Sequence, residues 1–336
     1  MKAWRIDELG HPSTALRLAE IDAPVPGSGE LAIDVESAVV NFADILLCQG
    51  IYQDRPPVPF APGLEVCGVV TSVGDGMDVP VGARVSGMAA LPSGAFAEAA
   101  LVRAPSAVEV PHEVPAADAA ALASTYLTSH VALHRRAHLQ PGETLLVHGA
   151  TGGVGSAAVQ LGVAAGATVI ATAGGEAKAR VAKELGAHHV IDHRVDDVRE
   201  RVLELTAGRG VDVAYDPVGG ALGDLTRRLM AWEGRLLVIG FASGEIPSYP
   251  ANHVLVKNYS VMGLHWGAYT EHGGRPVLEA AHADLLRLYA EGAIAPRIHS
   301  TIGLDEVPDA LAALEAREVL GRIVLVTGGA DRARHG

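Results

Sequence analysis

The stretch VHGATGGVGSAAVQLG at residues 147–162 decides the fold of this chain. It continues an apolar run from residue 144, and it places glycines at positions 149, 152, 153 and 155 ahead of a helix-compatible segment. A buried strand, a phosphate-binding loop and a helix need this order, because glycine permits a tight turn and lets backbone N–H groups approach a pyrophosphate. The stretch therefore predicts a dinucleotide-binding strand–loop–helix unit.

This loop belongs to a longer stretch, residues 144–175, that contains no Lys, Arg, Asp or Glu. Since roughly 20 apolar residues span a bilayer, a transmembrane helix is the competing interpretation. The loop glycines and the later glycines at 166, 174 and 175 divide the stretch into lengths typical of a strand, a helix and a second strand. We therefore interpret it as part of an α/β domain and expect no membrane partner.

The composition is typical of a folded chain with two domains of ordinary size. Its 336 residues are 49% hydrophobic and 19% charged, and a net charge of −13 disfavours a nucleic-acid partner. Cys48 and Cys67 form no CxxC motif, so we expect neither a disulfide scaffold nor a cysteine-rich zinc lobe. The N-terminus has acidic residues and no apolar core, so we expect a cytoplasmic protein without a secretory signal.

Apolar and amphipathic segments alternate after the glycine loop. This alternation predicts a doubly wound parallel sheet, whereas the first 120 residues, with short strands broken by Pro and Gly clusters, predict a mostly β domain. The predicted strands of the sheet are residues 168–173, 189–193, 211–218, 235–241 and 260–266, and the predicted helices are 153–165, 176–185, 196–206 and 220–230. The last segment predicts helices at 276–291 and 307–317 and a strand at 322–326.

The type of dinucleotide is indicated by residues beyond the loop. An NAD site places a carboxylate about 20 residues after the loop to bind the ribose 2′-hydroxyl, but residues 173–175 are Ala, Gly and Gly. Lys178 and Arg180 follow, and such cations suit a 2′-phosphate, so we expect NADPH rather than NADH. The competing interpretation of Lys178 is a solvated lysine on a helix face.

No pattern of metal ligands stands out, although the chain has 15 histidines. There is no HExxH motif and neither cysteine has a histidine at ligand spacing, so we expect no catalytic metal. A hydrolase has no Gly-x-Ser-x-Gly motif to support it. Tyr52, in a Pro-rich loop, is a candidate proton donor, with ring packing as the alternative role.

Taken together, these residues resemble the zinc-free NADPH:quinone oxidoreductases of the medium-chain dehydrogenase/reductase superfamily, which are related to ζ-crystallin. The resemblance extends over essentially the whole chain, because its motifs occur in order along it. They are VNFADILLCQGIYQDRPPVPFAPGLEVCGVV from residue 40, AALASTYLTSHVAL from 120, the glycine loop, GRGVDVAYDPVGG from 208 and GRLLVIGFASGEIP from 234.

The resemblance implies an α/β protein with two domains. Residues 1–123 and 268–336 would form a GroES-like, mostly β catalytic domain, and residues 124–267 would form an inserted Rossmann NADP-binding domain. Zinc-dependent members place Cys and His ligands where this chain has Asn41 and Leu64, which strengthens the expectation that no metal is bound. By analogy, the strand at 260–266 would pair with its symmetry mate in a homodimer.

The resemblance also implies roles for individual residues. Asn41 would lie beside the nicotinamide, Thr128 near its carboxamide, and Lys178 and Arg317 near the 2′-phosphate. The segment containing Phe241 and Ser243 would pass the nicotinamide, and His193 stands where some relatives have a tyrosine near the adenosine. The expected catalytic residues are Tyr52 and Asn41, and the expected cofactor-binding residues are Asn41, Thr128, Gly149, Thr151, Gly152, Gly153, Val154, Gly155, Gly174, Lys178, His193, Phe241, Ser243 and Arg317.

These expectations combine into one favoured function and two alternatives. The favoured function is NADPH-dependent reduction of a small quinone or another α,β-unsaturated carbonyl compound without zinc. An enoyl thioester reductase is the first alternative, because the spacing of Asn41, Asp44, Gln49 and Tyr52 resembles that group. A non-catalytic, crystallin-like binding protein is the second, and the retained glycine loop argues against it.

Overall fold

The computed structural model describes residues 1–327, so the part of the expected GroES-like domain at residues 328–336 lies outside the described residues. The chain divides into two compact units. Among the described residues, the first contains residues 1–124 and 296–327, and the second contains residues 125–295. Within residues 1–327, no helix has both the length and the apolar character needed to cross a membrane.

The first unit is built on an antiparallel sheet, as its Pro- and Gly-broken sequence predicts. Strands β1 and β2 form a separate two-stranded sheet, and the larger seven-stranded sheet has the order β14-β15-β3-β4-β5-β7, with β6 also paired to β3. The elements of the first part are β1 (Lys2–Ile6), α1 (Pro12–Ala15), β2 (Leu16–Glu20), β3 (Glu30–Val40), α2 (Phe42–Cys48), β4 (Glu65–Val73), β5 (Arg84–Met88), β6 (Ala99–Arg103), β7 (Val108–Glu109) and α3 (Ala116–Ala121). Those of the returning chain are β14 (Ile298–Ile302), α11 (Val307–Glu315) and β15 (Arg322–Val326).

One apolar core fills the first unit and includes residues from both ends of the chain. Leu31, Phe96 and Leu325 are each fully buried in it. Because β15 pairs antiparallel with the end of β3, residues more than 280 positions apart become neighbours, such as Val40 and Ile323. This pairing brings the last strand to the residues that follow β3.

The second unit is an open parallel sheet with the strand order β10-β9-β8-β11-β12-β13. Its strands are β8 (Thr144–Val147), β9 (Thr168–Ala173), β10 (His189–Asp192), β11 (Val211–Asp216), β12 (Met230–Val238) and β13 (Ser260–Gly263). Its helices are α4 (Leu127–His130), α5 (Gly153–Ala164), α6 (Glu176–Glu184), α7 (Val198–Leu205), α8 (Gly220–Thr226), α9 (Ala251–Lys257) and α10 (Arg275–Ala290). This is the doubly wound order, in which the direction of strand addition reverses between β8 and β11 and ligands bind beyond the carboxyl ends of those strands.

The predicted elements of the second unit are confirmed in kind, with several differences in extent. The helix predicted at 220–230 ends at Thr226, because β12 starts at Met230 rather than at residue 235. Helix α9 was not predicted, and none of its residues is buried, so it lacks the apolar face that reveals a helix in sequence. The predicted strand at 260–266 is confirmed only for Ser260–Gly263.

The chain returns to the first unit later than the resemblance implied. We expected the return at residue 268, but residues 268–295 belong to the second unit. The physical reason is α10, which packs against α4 and whose buried residues include Leu278 and Leu285. Strand β13 has only β12 as a hydrogen-bonded neighbour among the described strands, and the homodimer expected from this edge stays a prediction.

Candidate functional site

The glycine loop connects β8 to α5 at the point where the sheet reverses its order. Gly149 has a φ of 58°, a left-handed conformation that glycine adopts without a steric penalty, and the N–H of Gly152 donates to its carbonyl oxygen at 3.0 Å. A β-carbon on Gly155 would overlap with that same carbonyl oxygen, so only glycine allows α5 to pack this closely on the loop. The sequence expectation of a tight turn followed by close helix packing is therefore matched at both positions.

The first turn of α5 is accessible to a ligand. Gly152 is exposed and Gly153 and Val154 are half-buried, whereas Thr151 and Gly155 are buried beneath them. The first N–H groups of a helix have no intrahelical acceptor and carry partial positive charge, so they bind phosphate oxygens well. The residues present fit the pyrophosphate of a dinucleotide.

His148, directly before the loop, is a buried polar residue that the sequence analysis did not single out. Its ring is fully buried, with Nδ1 3.0 Å from Thr172 Oγ1 and Nε2 2.7 Å from Thr226 Oγ1. Since the Thr226 hydroxyl donates to the carbonyl oxygen of Leu222, it accepts from Nε2–H, which identifies the neutral tautomer. Burial lowers the pKa of His148 to about 4, so the ring stays neutral and fastens the start of the loop to β9 and α8.

Thr128 lies on α4 and is buried, and its neighbour Ser129 connects this helix to the glycine loop. Ser129 Oγ is 2.9 Å from the carbonyl oxygen of Val154 and 2.8 Å from the hydroxyl of Tyr215 on β11. These contacts place Thr128 next to the first turn of α5. Its proposed contact with the nicotinamide carboxamide stays a prediction.

The turn after β9 carries a cluster of positive and titratable side chains that we call the β9 turn (Gly174, Gly175, Lys178, His193 and Arg194). The ring of His193 and the guanidinium of Arg194 cover the backbone here, because a β-carbon on Gly174 would lie 2.9 Å from His193 Nε2 and 3.3 Å from Arg194 Nε. Arg194 was not predicted as a site residue. It follows His193 in the sequence, and only the pairing of β10 with β9 reveals that it faces Gly174.

A carboxylate also lies at the β9 turn, although the sequence places none near Gly174. Asp192 Oδ1 accepts the N–H of Gly175 at 2.8 Å and the N–H of Arg194 at 3.1 Å. These backbone hydrogen bonds lower the pKa of Asp192 below its usual range. The carboxylate therefore holds the two turns together and keeps Arg194 beside Gly175.

The predicted nicotinamide segment lies beside the turn that follows β11. Asp216 is buried, and its Oδ1 accepts the N–H groups of Val218 and Gly219, each at 2.9 Å. Ser243 N–H donates to the carbonyl oxygen of Val218 at 2.9 Å, and Phe241 is 42% exposed. Phe241 and Ser243 thus lie beyond the carboxyl end of β11, the neighbour of β8, on the edge of the sheet that carries the glycine loop.

The first unit contains a separate polar cluster, which we call the Asn41 cluster (Asn41, Asp44, Glu65 and Arg322). Asn41 Nδ2 donates to Glu65 Oε1 at 2.8 Å, and Arg322 Nη2 donates to Asn41 Oδ1 at 2.6 Å. Arg322 Nη2 also lies 3.2 Å from Glu65 Oε2, forming an ion pair in which both side chains are more than nine-tenths buried. Both ends of the Asn41 amide are therefore held by charged partners.

Asn41 and Asp44 have a structural relationship that explains their spacing. Asn41 is the N-cap of α2, and its N–H donates to Asp44 Oδ2 at 2.7 Å in a capping box. Gln49 is the C-cap of the same helix. The capping box of α2 thus accounts for the spacing of Asn41 and Asp44 without reference to catalysis.

Tyr52 follows α2 and packs against a small buried cluster formed by Ile6, Leu47, Cys48, Phe60 and Leu64. Its N–H donates to the carbonyl oxygen of Leu46 at 3.2 Å, which fixes its backbone to the helix end. Burial, with the negative charge of nearby carboxylates, raises the pKa of Tyr52 to about 12, so the phenol keeps its proton at neutral pH. The packing role expected for Tyr52 agrees with this environment, and its role as a proton donor stays a prediction.

The second predicted 2′-phosphate ligand, Arg317, lies in the first unit. It follows the C-cap of α11 with a φ of 59°, a left-handed conformation that is uncommon for arginine. Its role near the cofactor stays a prediction. Within residues 1–327, no group of three or more His, Cys, Asp or Glu side chains is arranged to hold a metal ion.

Comparison with known families identifies both units. Residues 27–112 match the alcohol dehydrogenase GroES-like domain, and residues 153–282 match the family described as zinc-binding dehydrogenase. A GroES-like domain followed by a Rossmann domain defines a medium-chain dehydrogenase/reductase, which is an oxidoreductase. The fold class expected from the sequence is confirmed.

Individual relatives show which group of medium-chain dehydrogenase/reductases this chain resembles. The mouse quinone oxidoreductase-like protein 2 is 37% identical over 320 residues, which are 95% of this chain and 90% of that protein. A mycobacterial structure in complex with NADPH is 33% identical, with a TM-score of 0.89 and coverage of 97% and 99%. The Escherichia coli quinone oxidoreductase in complex with NADPH is 29% identical, with a TM-score of 0.87 and coverage of 97% and 100%.

The chain therefore belongs to the quinone oxidoreductase family of the medium-chain dehydrogenase/reductases, as its motifs indicated.

Proposed function

We propose that this protein is an NADPH-dependent reductase that transfers hydride to quinones or other α,β-unsaturated carbonyl compounds without zinc. The observation that carries the NADPH assignment is the β9 turn, where the guanidinium of Arg194 lies against Gly174 and Gly175 and Lys178 follows in the first turn of α6. The accessible first turn of α5 supports pyrophosphate binding on the same edge of the sheet. The two similar structures determined with NADPH add support.

Bound NADPH would supply the hydride, and the residues of the chain supply binding, orientation and a proton. In the first unit, Asn41 contributes an acceptor rather than a donor. Its Nδ2 group is already directed at Glu65 and at the carbonyl oxygen of Val39, whereas Oδ1 accepts one hydrogen bond, from Arg322. We propose that Asn41 orients the nicotinamide or the acceptor through its free lone pair, and that Tyr52 donates the proton.

The Asn41 cluster also supports a reaction that needs no zinc. A metal site requires ligands that do not already face another cation. Here Asn41 Oδ1 and Glu65 already face the guanidinium of Arg322, and the neighbouring position holds Leu64, which has no ligand atom. Hydrogen bonds must then polarise the acceptor carbonyl in place of zinc. Such weaker polarisation is sufficient for substrates that are already electron-poor.

A substrate panel tests this function against the alternative of an enoyl thioester reductase. Steady-state rates are compared for a 1,2-quinone, a medium-chain enal and crotonyl-CoA, each with NADPH and with NADH. We expect kcat/KM to be higher for the quinone and the enal than for the CoA ester, with NADPH preferred. A large advantage for crotonyl-CoA would instead support the thioester reductase.

The Tyr52→Phe variant should separate the two kinds of acceptor. Alkene reduction leaves an enolate that needs a proton at carbon, and loss of a positioned general acid lowers such rates by about 100-fold. Quinone reduction should change much less, because solvent protonates the reduced oxygen. Steady-state kinetics with an enal and a quinone measure both effects in one variant, and equal losses would show that Tyr52 is not the acid.

The Arg194→Gln and Lys178→Ala variants should each weaken NADPH binding by about tenfold, the typical effect of losing one charge-assisted hydrogen bond. NADH lacks the 2′-phosphate, so its dissociation constant should stay within about twofold by the same reasoning. Arg180→Gln is the matched control, because Arg180 lies on α6, as Lys178 does, but pairs with Glu176 at the surface. Fluorescence titration measures all the affinities, and a parallel loss for NADH would contradict the phosphate assignment.

A further inference from the structure

Asp216 ends β11 and shapes the turn that follows this strand. Its side chain is 1% exposed, and its Oδ1 accepts the N–H groups of Val218 and Gly219, each at 2.9 Å. Its carbonyl oxygen accepts the N–H of Ile239, the residue after β12, at 3.0 Å. Buried polar groups find their hydrogen-bond partners inside the protein, and here two of those partners belong to the turn itself. The turn at residues 217–219 therefore takes its shape from one side chain.

One side of this turn contacts the glycine loop. Strand β11 lies beside β8, with Tyr215 opposite Val147, and the N–H of His148 donates to the carbonyl oxygen of Tyr215 at 3.1 Å. The side chain of Val218 reaches the loop, because a β-carbon on Gly149 would lie 3.3 Å from Val218 Cγ2. A displacement of Val218 would therefore move the loop or leave a gap beside it.

The other side of the turn holds the exposed segment at residues 241–243. The N–H of Ser243 donates to the carbonyl oxygen of Val218 at 2.9 Å. Gly219 has a φ of 70°, and a β-carbon there would lie 3.0 Å from Phe241 Cδ1. The ring of Phe241 thus lies directly on the backbone of the turn. Residues 218 and 219, which Asp216 holds, therefore also hold this segment in place.

The turn lies where a dinucleotide has to pass. The strand order reverses between β8 and β11, and ligands of doubly wound sheets bind beyond the carboxyl ends of the strands at such a point. If the first turn of α5 binds the pyrophosphate and the β9 turn binds the adenosine end, the nicotinamide end extends the other way, over β11. The Asp216 turn would then lie between the anchor for the pyrophosphate and the segment beside the nicotinamide.

We propose that Asp216 is a positioning residue, which sets the place of the nicotinamide relative to the pyrophosphate by holding the turn between the glycine loop and residues 241–243. The proposal deepens the function proposed above and rests on it. The side chain is buried and its Oδ1 is occupied by two backbone N–H groups, so it acts through the turn. Hydride transfer requires close approach of two carbons, and a displacement of about 1 Å can lower such a rate by about 100-fold.

The Asp216→Ala variant tests the proposal, because alanine cannot accept the two N–H groups. We expect kcat to fall by about 100-fold, whereas the dissociation constant of NADPH should change by less than about tenfold, because α5 and the β9 turn keep their ligand groups. The kinetic isotope effect with NADPH deuterated at C4 should rise, since the slowed step is hydride transfer. Asp216→Asn keeps an oxygen that accepts both N–H groups, so its kcat should stay within about threefold of the wild type.

Two further variants separate positioning from loss of stability. Asp212→Ala is the matched control, because Asp212 lies on the same strand and its Oδ2 accepts the N–H of Thr144 at 2.8 Å at the opposite end of the sheet. Its kcat should stay within about twofold of the wild type by the same geometric argument. Val218→Ala keeps every hydrogen bond of the turn but loses the contact with Gly149, and it should lower kcat by about tenfold. An unchanged kcat for Val218→Ala would contradict the coupling of the turn to the loop, even if Asp216→Ala does not fold.

Hydrogen exchange without NADPH gives a measurement that does not depend on activity. Asp216→Ala should speed exchange of the N–H groups of Val218, Gly219 and Ser243 by about tenfold, because the first two lose their acceptor and the third loses a fixed partner. Asp212→Ala should leave these three rates unchanged. An unchanged exchange rate at Ser243 in Asp216→Ala would overturn the coupling of the turn to residues 241–243.

The kinetic outcomes distinguish this proposal from the proposed function. An active wild type with equal kcat in Asp216→Ala would overturn the positioning role alone. A loss of kcat that Asp212→Ala shares, with no rise in the isotope effect, would assign Asp216 to stability and also overturn it. A wild type that reduces no acceptor with NADPH would instead refute the proposed function, and with it any role of Asp216 in hydride transfer.

Discussion

Replacing Gly155 with alanine should destabilise the second unit by about 3 kcal/mol, the upper range for overpacking, and should abolish tight NADPH binding. The added β-carbon would overlap with the carbonyl oxygen of Gly149 and approach the Cα of Ala150 at 3.1 Å. Both contacts involve backbone, so no side-chain rotation relieves them. The loop must move away from α5, which displaces the N–H groups that we expect to bind the pyrophosphate. Urea unfolding and NADPH titration measure the two effects.

Gly152→Ala is the matched control for this prediction. A β-carbon on Gly152 would lie 3.4 Å from the same carbonyl oxygen, and the residue has a φ of −80°, which alanine adopts without strain. Its stability should change by less than about 1 kcal/mol, the scale of an N-cap substitution. If the two variants unfold at the same urea concentration, close packing on Gly149 does not determine the stability of the loop.

Replacing Arg322 with alanine should lower the free energy of unfolding by about 3–5 kcal/mol, because it leaves Glu65 as a buried charge without a cation. It also removes the donor to Asn41 Oδ1, so the Asn41 amide loses its fixed orientation. Burial already raises the pKa of Glu65, and loss of the guanidinium raises it further. The stability of the variant should therefore fall as the pH rises, since folding then favours protonated Glu65.

Two further variants separate charge from simple loss of a side chain. Arg322→Met combined with Glu65→Gln removes both charges and should recover much of the lost stability, because a buried ion pair is often replaceable by neutral groups. Arg287→Ala removes an exposed arginine that pairs with Asp284 and Glu291 on α10, and it should cost much less stability than Arg322→Ala, because solvent screens exposed ion pairs. If Arg287→Ala and Arg322→Ala cost the same, burial does not determine the strength of the Arg322 pair.

The sequence predicted the elements of the second unit well, because each strand and turn is identified by residues that are adjacent in the chain. The buried strands β8 and β9 read as continuous apolar runs, and the glycines between β8 and α5 identify a turn that few other residues adopt. The cations near Gly174 were visible in part, since Lys178 follows within the same strand–helix unit. Arg194 was missed because it belongs to the next unit and reaches Gly174 only through strand pairing.

The polar cluster of the first unit lies beyond local pattern recognition. Asn41 and Tyr52 were predicted from motifs that resemble a family, but Glu65 and Arg322 are separated by 257 positions and meet only through β3, β4 and β15. Periodicity describes each strand and cannot state which strands are neighbours. The helix α9 and the late return of the chain were missed for the same reason, since tertiary packing decides both.

The pairing of β15 with β3 has a consequence for synthesis on the ribosome. Residues 125–295 form a compact unit from contiguous chain, so this unit can fold as soon as it has emerged. The first unit is begun earlier but completed later, because its central strand β3 waits for residues 322–326 as a neighbour. Arg322 is the first residue of that strand, and its arrival orders Asn41. A chain truncated shortly before residue 322 should thus contain a folded second unit joined to a first unit in which Arg322 does not yet hold the Asn41 amide.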